Sequence, residues 1–161
     1  MPGADDAAND PALAIGAAWR DIRRLRGLQT IGRDLLDDGC PPLETGELDT
    51  LAVVGAHGPC RMSELADALR VEPSTATRAV DRLERRDLVV RRKDDADGRF
   101  VEVALTAQGR VAHEELSRRR RALLHGVLEH FDDAERAQLA ELLPRFAEAI
   151  ADVLSRRTVD A

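Results

Sequence analysis

Residues 62–109, MSELADALRVEPSTATRAVDRLERRDLVVRRKDDADGRFVEVALTAQG, change hydrophobic period twice, and the changes decide the fold. Up to about residue 86 the apolar side chains recur every three or four positions, the spacing of one helix face. Leu65, Ala66 and Leu69 are the inner face of a short helix over about 63–69, with Ser63 as its N-cap. Ala76, Val80 and Leu83 are that of a second helix over about 73–86, and Pro73 suits its first turn, where a missing N–H costs nothing. Arg70-Val71-Glu72 is the turn between them, with Val71 expected to plug the gap. The period then shortens: Leu88-Val89-Val90 and Phe100–Leu105 read as strands around the polar stretch RRKDDADGR, a β-hairpin with a charged tip. Two helices at this spacing make a helix-turn-helix, a signal shared with many αα-hairpins. A β-hairpin directly after it turns the reading into a winged helix.

Outward from this stretch the chain is helical. Leu13, Trp19, Ile22, Leu25, Leu28, Ile31, Leu35 and Leu36 mark a long helix over about 12–37, ended by Gly39, Pro41 and Pro42. A helix over about 45–56 carries Leu48, Leu51 and Val54, and Gly58-Pro59 stops it. Thr106 is a fitting N-cap for a helix over about 107–130. Asp132 and Glu135 stand at N-cap and N3 of a last helix, which Pro144 is expected to kink. The expected fold is mostly α, of the α+β winged-helix kind, with six helices and one β-hairpin wing. Residues 1–11 read as a disordered acidic tail, 12–156 as one domain and 157–161 as a flexible tail.

At 161 residues the chain can build one domain with a real core. It has only four aromatic residues, Trp19, Phe100, Phe131 and Phe146, which argues against readers that stack single-stranded bases. No apolar run is long enough for a membrane span, and the start of the chain lacks the basic-then-apolar pattern of a signal peptide, so a cytoplasmic location is expected. Two cysteines, Cys40 and Cys60, make no disulfide framework. The formal net charge of −6 speaks against nucleic acid in bulk, yet Arg70 to Lys93 hold eight basic residues against four acidic ones. Such a segment is either a phosphate-binding face or a solvated helix of alternating charge.

The outward positions of the second helix are Ser74, Thr75, Thr77 and Arg78, followed by Arg82 and Arg85. Hydroxyls near a helix N-terminus reach phosphates or base edges, and the helix dipole adds partial positive charge there. Arg78 has the fork that suits guanine O6 and N7. Arg82 and Arg85 either contact phosphates or pair with the neighbouring Asp81 and Glu84; Ser74 and Thr75 alternatively serve as caps. At the hairpin tip Arg99 can enter a narrow minor groove, oriented by Asp97, or form an ordinary exposed turn pair.

Residues 62–109 resemble the MarR family of bacterial transcription regulators. Asp94, Asp97, Arg99, Val103, Leu105, Thr106 and Gly109 match that family's D-x-x-D-x-R-x-x-x-V-x-L-T-x-x-G pattern. The resemblance extends over roughly 12–156. It implies a homodimer whose dimer module comprises residues 12–43 and 107–156 around a winged-helix lobe at 44–106. It also implies a recognition helix in the major groove of a pseudo-palindromic operator and Arg99 in the minor groove. Two positions depart from the pattern: Asp87 replaces the glycine that usually ends the recognition helix, and Glu72 replaces a capping Asp. Both substitutions predict less relaxed helix ends. The wide apolar stripes of the first and last helices independently call for a partner, because soluble monomers avoid such exposure. Two copies would present half-sites about one DNA turn apart.

The expected role is a regulator of double-stranded DNA, a repressor released by a small ligand. The resemblance places a ligand pocket among Trp19, Arg23, His57 and Arg119, suited to a small aromatic or phenolic effector; Trp19 alternatively serves core or dimer packing. No cofactor is expected. A redox-responsive regulator working through Cys40 is an alternative, with Cys60 an inert buried thiol. A winged-helix module that docks a protein partner is another, kept open by the overall acidity. Enzymatic chemistry is not expected: His57 and Cys60 are the nearest approach to a dyad, and no CxxC, HxxxH or glycine-rich phosphate loop occurs.

Overall fold

The computed structural model describes residues 10–25, 42–93 and 101–159. The chain forms two compact units, Met1–Arg119 and Arg120–Ala161. In chain order the elements are α1 (Pro11–Arg24), α2 (Thr45–His57), β1 (Cys60–Arg61), α3 (Met62–Leu69), α4 (Pro73–Arg85), β2 (Val89–Lys93), β3 (Val101–Leu105), α5 (Ala107–Leu128) and α6 (Asp133–Val159). The protein is therefore mostly helical, with a winged helix-turn-helix built from α3, α4, β2 and β3.

The hairpin strands pair antiparallel from Val89↔Leu105 to Lys93↔Val101. A third strand, absent from the sequence reading, adds to the other side of β3 through Cys60↔Val103 and Arg61↔Glu102. Two residues are too few to show a period. This strand also moves the start of α3. Arg61 keeps an extended backbone as the N-cap, and its N–H donates to Glu64 Oε2 at 2.8 Å. Ser63 thus lies inside the helix instead of capping it.

The turn between α3 and α4 closes through its backbone. Arg70 N–H donates to the Asp67 carbonyl and Val71 N–H to the Ala66 carbonyl, at 3.0 and 3.1 Å, the paired bonds of a Schellman motif. Arg70 adopts the left-handed conformation, φ 54° and ψ 45°. Val71, expected to plug the gap between the helices, remains 38% exposed. The end of α4 repeats the motif: Asp87 N–H meets the Glu84 carbonyl, Leu88 N–H meets the Leu83 carbonyl, and Asp87 has φ 55°. The position where a glycine is usual thus holds an aspartate in the conformation that favours glycine.

The core of the first unit joins α2, α3, α4, the sheet and the first turns of α5. Leu43, Leu51, Leu65, Val80, Leu83, Leu88, Val103 and Leu116 are fully buried there. Thr106 caps α5, accepting the Gly109 N–H at 2.9 Å, while its own hydroxyl donates to the Asp87 carbonyl and its N–H donates to the Leu88 carbonyl.

Helix α1 is capped by Asp10, whose Oδ1 accepts the Ala12 N–H at 2.9 Å. It ends at Arg24, and Leu25 is already extended. The expected single helix to residue 37 is therefore interrupted at Leu25; positions 26–37 lie outside the described residues. Arg23 and Arg24 suit a C-terminal turn, and Gly27 follows in the sequence as a poor helix former. In the second unit, Asp132 and Glu135 exchange the reciprocal bonds of a capping box, both 2.9 Å. Helix α6 then continues through Pro144 without a break in its helical run.

Candidate nucleic-acid interface

Helix α4 has two faces of different chemistry. Ala76, Ala79, Val80 and Leu83 are buried against the core. Ser74, Thr75, Thr77 and Arg78 are exposed, on the first two turns. Pro73 occupies the first helical position, and no side chain caps this end: Glu72 stands at the N-cap without reaching back, as its extra methylene predicts. Pro73 has no N–H, and the Thr75 and Ala76 N–H groups donate to the Glu72 carbonyl at 2.8 and 3.2 Å, so this end presents its hydroxyls and the Ser74 N–H. The Thr77 hydroxyl donates to the Pro73 carbonyl at 2.9 Å, which leaves its lone pairs outward. Among the described residues no carboxylate lies in ion-pair distance of Arg78.

The basic residues of 70–93 divide by partner. Arg91, on β2, lies between two acids of α4: one terminal nitrogen is 2.6 Å from Asp81 Oδ1, the other bonds Glu84 Oε2, and its N–H reaches Glu84 Oε1 at 3.2 Å. Burial works against its charge, but the hydrogen bonds and negative charges of Asp81 and Glu84 outweigh this and raise its pKa. The wing's first strand is thereby bound to α4. Arg92 pairs with Glu102 across the hairpin at 3.6 Å. Arg85 Nε donates to its own helix at the Asp81 carbonyl, 3.1 Å, and the side chain stays at the surface. Asp81 and Glu84 pair with Arg91 and, among the described residues, not with Arg82.

Arg82 turns to another helix. Its Nε donates to Glu47 Oε1 at 3.2 Å, and its Nη2 lies 3.3 Å from Glu44 Oε2. Glu47 is only 4% exposed, and its second oxygen accepts the Glu44 N–H at 2.6 Å. These two acids escaped the sequence reading, although Glu44-x-x-Glu47 has the spacing of a capping arrangement. Asp94, Asp97 and Arg99 at the hairpin tip, and Cys40, lie outside the described residues.

The four residues expected to line a ligand pocket fall on three elements. Trp19 and Arg23 are exposed on α1, one turn apart. His57 is exposed at the end of α2, with Nδ1 3.0 Å from the Val53 carbonyl. Arg119, on α5, donates to Glu115 Oε1 at 2.7 Å, and Arg118 binds the same carboxylate. Those hydrogen bonds hold the Glu115 carboxyl well below its usual range, at about 2. An apolar hollow of about 530 Å³ on the second unit is lined by Ala122, Leu123, Gly126, Val127, His130 and Phe131, none of the four.

Cys60 is half-buried. Burial raises its thiol pKa, and the charges of Glu64 and Glu102 add to that, so it stays protonated at neutral pH. Among the described residues no group of three or more His, Cys, Asp or Glu side chains is placed to hold a metal ion. No described helix is long and apolar enough to cross a membrane.

Residues 43–101 match the model of the MarR family. The chain is 28% identical to the HTH-type transcriptional repressor MdtR of Bacillus subtilis over 149 residues, 92% of this chain and 91% of that one. The crystal structure of the YusO protein from Bacillus subtilis superposes with a TM-score of 0.59 at 28% identity, covering 91% of this chain and 99% of that one. Streptococcus pneumoniae FabT, solved in complex with DNA, shares the fold with a TM-score of 0.73 at 22% identity, over 88% of this chain and 98% of its own. The relatives found are transcriptional regulators, not enzymes.

Proposed function

We propose that this protein, whose residues 43–101 match the MarR family model, is a DNA-binding transcription regulator, a homodimeric repressor that reads a pseudo-palindromic operator. The observation that carries the reading is the exposed face of α4. Ser74, Thr75, Thr77 and Arg78 stand exposed on the first two turns of a helix whose other face is buried in the core. A helix so held can enter a major groove, with Arg78 reaching guanine and the hydroxyls reaching phosphates or base edges. Arg99 supplies the minor-groove contact from the hairpin tip. MdtR's name as a repressor supports the sign of regulation.

Dimerisation is supported by the terminal helices. Helix α1 buries none of its residues, and Leu13, Ile15 and Ile22 are exposed on it. On α6, Leu142, Leu143 and Val153 are exposed as well. Apolar surface of this kind asks for a second copy. Release by a small aromatic or phenolic effector completes the reading, with exposed Trp19 and Arg23 as its first contacts. The protein then works in the cytoplasm, where its DNA is.

The test is a fluorescence-anisotropy titration with duplex DNA from upstream of the protein's own gene, a scrambled duplex and two salt concentrations. A preference of at least ~10³-fold for the native duplex, with a steep salt slope, is expected. Equal, weak and salt-insensitive binding of both duplexes would overturn the reading.

A further inference from the structure

We propose that Arg82 is a positioning residue for the recognition helix, acting through buried Glu47, and not a phosphate contact. The inference rests on the DNA-binding reading and assigns one of its arginines a different task. Glu47 is almost fully buried and keeps both oxygens occupied, one by the Glu44 N–H and one by Arg82 Nε. Removing one partner of a buried ion pair strands the other as a buried charge. Arg82 therefore cannot swing to a phosphate without leaving Glu47 half-paired. Glu47 in turn is fixed by its place in the first turn of α2, where its carboxylate closes the helix start.

The consequence is geometric. Arg82 lies one helical turn beyond Arg78 on the same side of α4. Tying Arg82 to Glu47 and Glu44 fixes the rotation of α4 about its own axis, and with it the direction in which Ser74, Thr75 and Arg78 point. The pair also separates two explanations by sign. By simple charge, Glu47→Gln removes a negative group near DNA and frees Arg82, so binding should tighten. By positioning, the same change loosens the strut and binding should weaken.

The experiment titrates the full-length protein and its Glu47→Gln, Arg82→Ala, Arg82→Lys and Glu47→Gln/Arg82→Ala variants. The probes are duplex DNA from upstream of its own gene and an unrelated duplex, across a salt series, with thermal unfolding checked in parallel. We expect Glu47→Gln and Arg82→Ala each to weaken binding to the native duplex on the order of tenfold. The double variant should be no weaker than the worse single one, since both remove one interaction. Arg82→Lys should fail to restore affinity, because an ammonium cannot span the two carboxylates as the guanidinium fork does. The salt slope should match that of the unaltered protein throughout. Unchanged or tighter binding by Glu47→Gln overturns the inference. So does a salt slope reduced by about 0.9 in Arg82→Ala and restored in Arg82→Lys, the mark of one lost phosphate contact. If Glu47→Gln fails to fold, Arg82→Lys decides alone. Failure of the unaltered protein to bind either duplex overturns the DNA-binding reading itself, which is a different result.

Discussion

Gly109 lies so close to Leu88 that a Cβ on it would come within 1.8 Å of the Leu88 carbonyl oxygen. The first turn of α5 is pressed against the corner where α4 hands over to β2, and the neighbouring atom is backbone, which cannot step aside. Thr106 fastens the same corner with bonds to the Asp87 and Leu88 carbonyls. Gly109→Ala should therefore cost about 2–4 kcal/mol of stability through overpacking, where a surface Gly→Ala in a helix would stabilise. Urea unfolding of the two proteins checks this; a variant as stable as the parent would show that the corner is loose.

Asp87 and Arg70 both adopt left-handed backbone without being glycine. Each carries strain that glycine lacks, partly offset by glycine's freedom in the unfolded chain. Asp87→Gly and Arg70→Gly should each raise stability by about 0.5–1 kcal/mol. A lowered denaturation midpoint in either variant would contradict this account of the two helix ends.

Arg78→Ala should weaken binding to the native duplex by about 1–3 kcal/mol and relax the preference at one base pair. Arg99→Ala should cost a similar amount, about 1–3 kcal/mol, without altering the fold. Anisotropy titrations against duplexes substituted one base pair at a time read both effects. Equal loss on every duplex for Arg78→Ala would reassign it to phosphate.

Glu115 should titrate at about 2, against an ordinary carboxyl value of 4.5, because Arg118 and Arg119 hydrogen-bond its ionised form. A folded pKa below the unfolded one means the contribution is present in full above the unfolded pKa and fades as pH falls through the folded one. The window is thus from 4.5 down to about 2, and the effect on stability is small because the group is at the surface. A carbon-13 NMR titration locates the midpoint, and Arg118→Ala should move it upward. A midpoint in the ordinary range for the parent would mean the two arginines do not hold the carboxylate in solution.

The architecture was readable because it is written in periods. The helical spacing of Leu65, Ala66 and Leu69, then of Ala76, Val80 and Leu83, and the strand runs after Leu88, gave the winged helix with ends right to within a few residues. Asp87 and Glu72 were legible as imperfect helix ends, and the backbone at Asp87 and the uncapped start of α4 agree. Three things were not legible, each for its own reason. Strand β1 exists only because β3 offers it an edge, so nothing local announces it. Val71 stays 38% exposed in a turn closed by two backbone hydrogen bonds, and an apolar residue in a three-residue turn has no period to show which way it faces. The partner of Arg82 is 35 residues away at Glu47, and no helical spacing connects residues that distant.

The two faces of α4 share no residues. Ala76, Ala79, Val80 and Leu83 are buried, while Ser74, Thr75 and Arg78 are exposed. Substitution on the outer face should change stability by no more than about 0.5 kcal/mol. A gene duplicate could therefore drift toward a new operator one residue at a time, staying folded at every step. On the proposed reading, recognition is evolvable because the residues assigned to DNA are not those that pack the helix against the core.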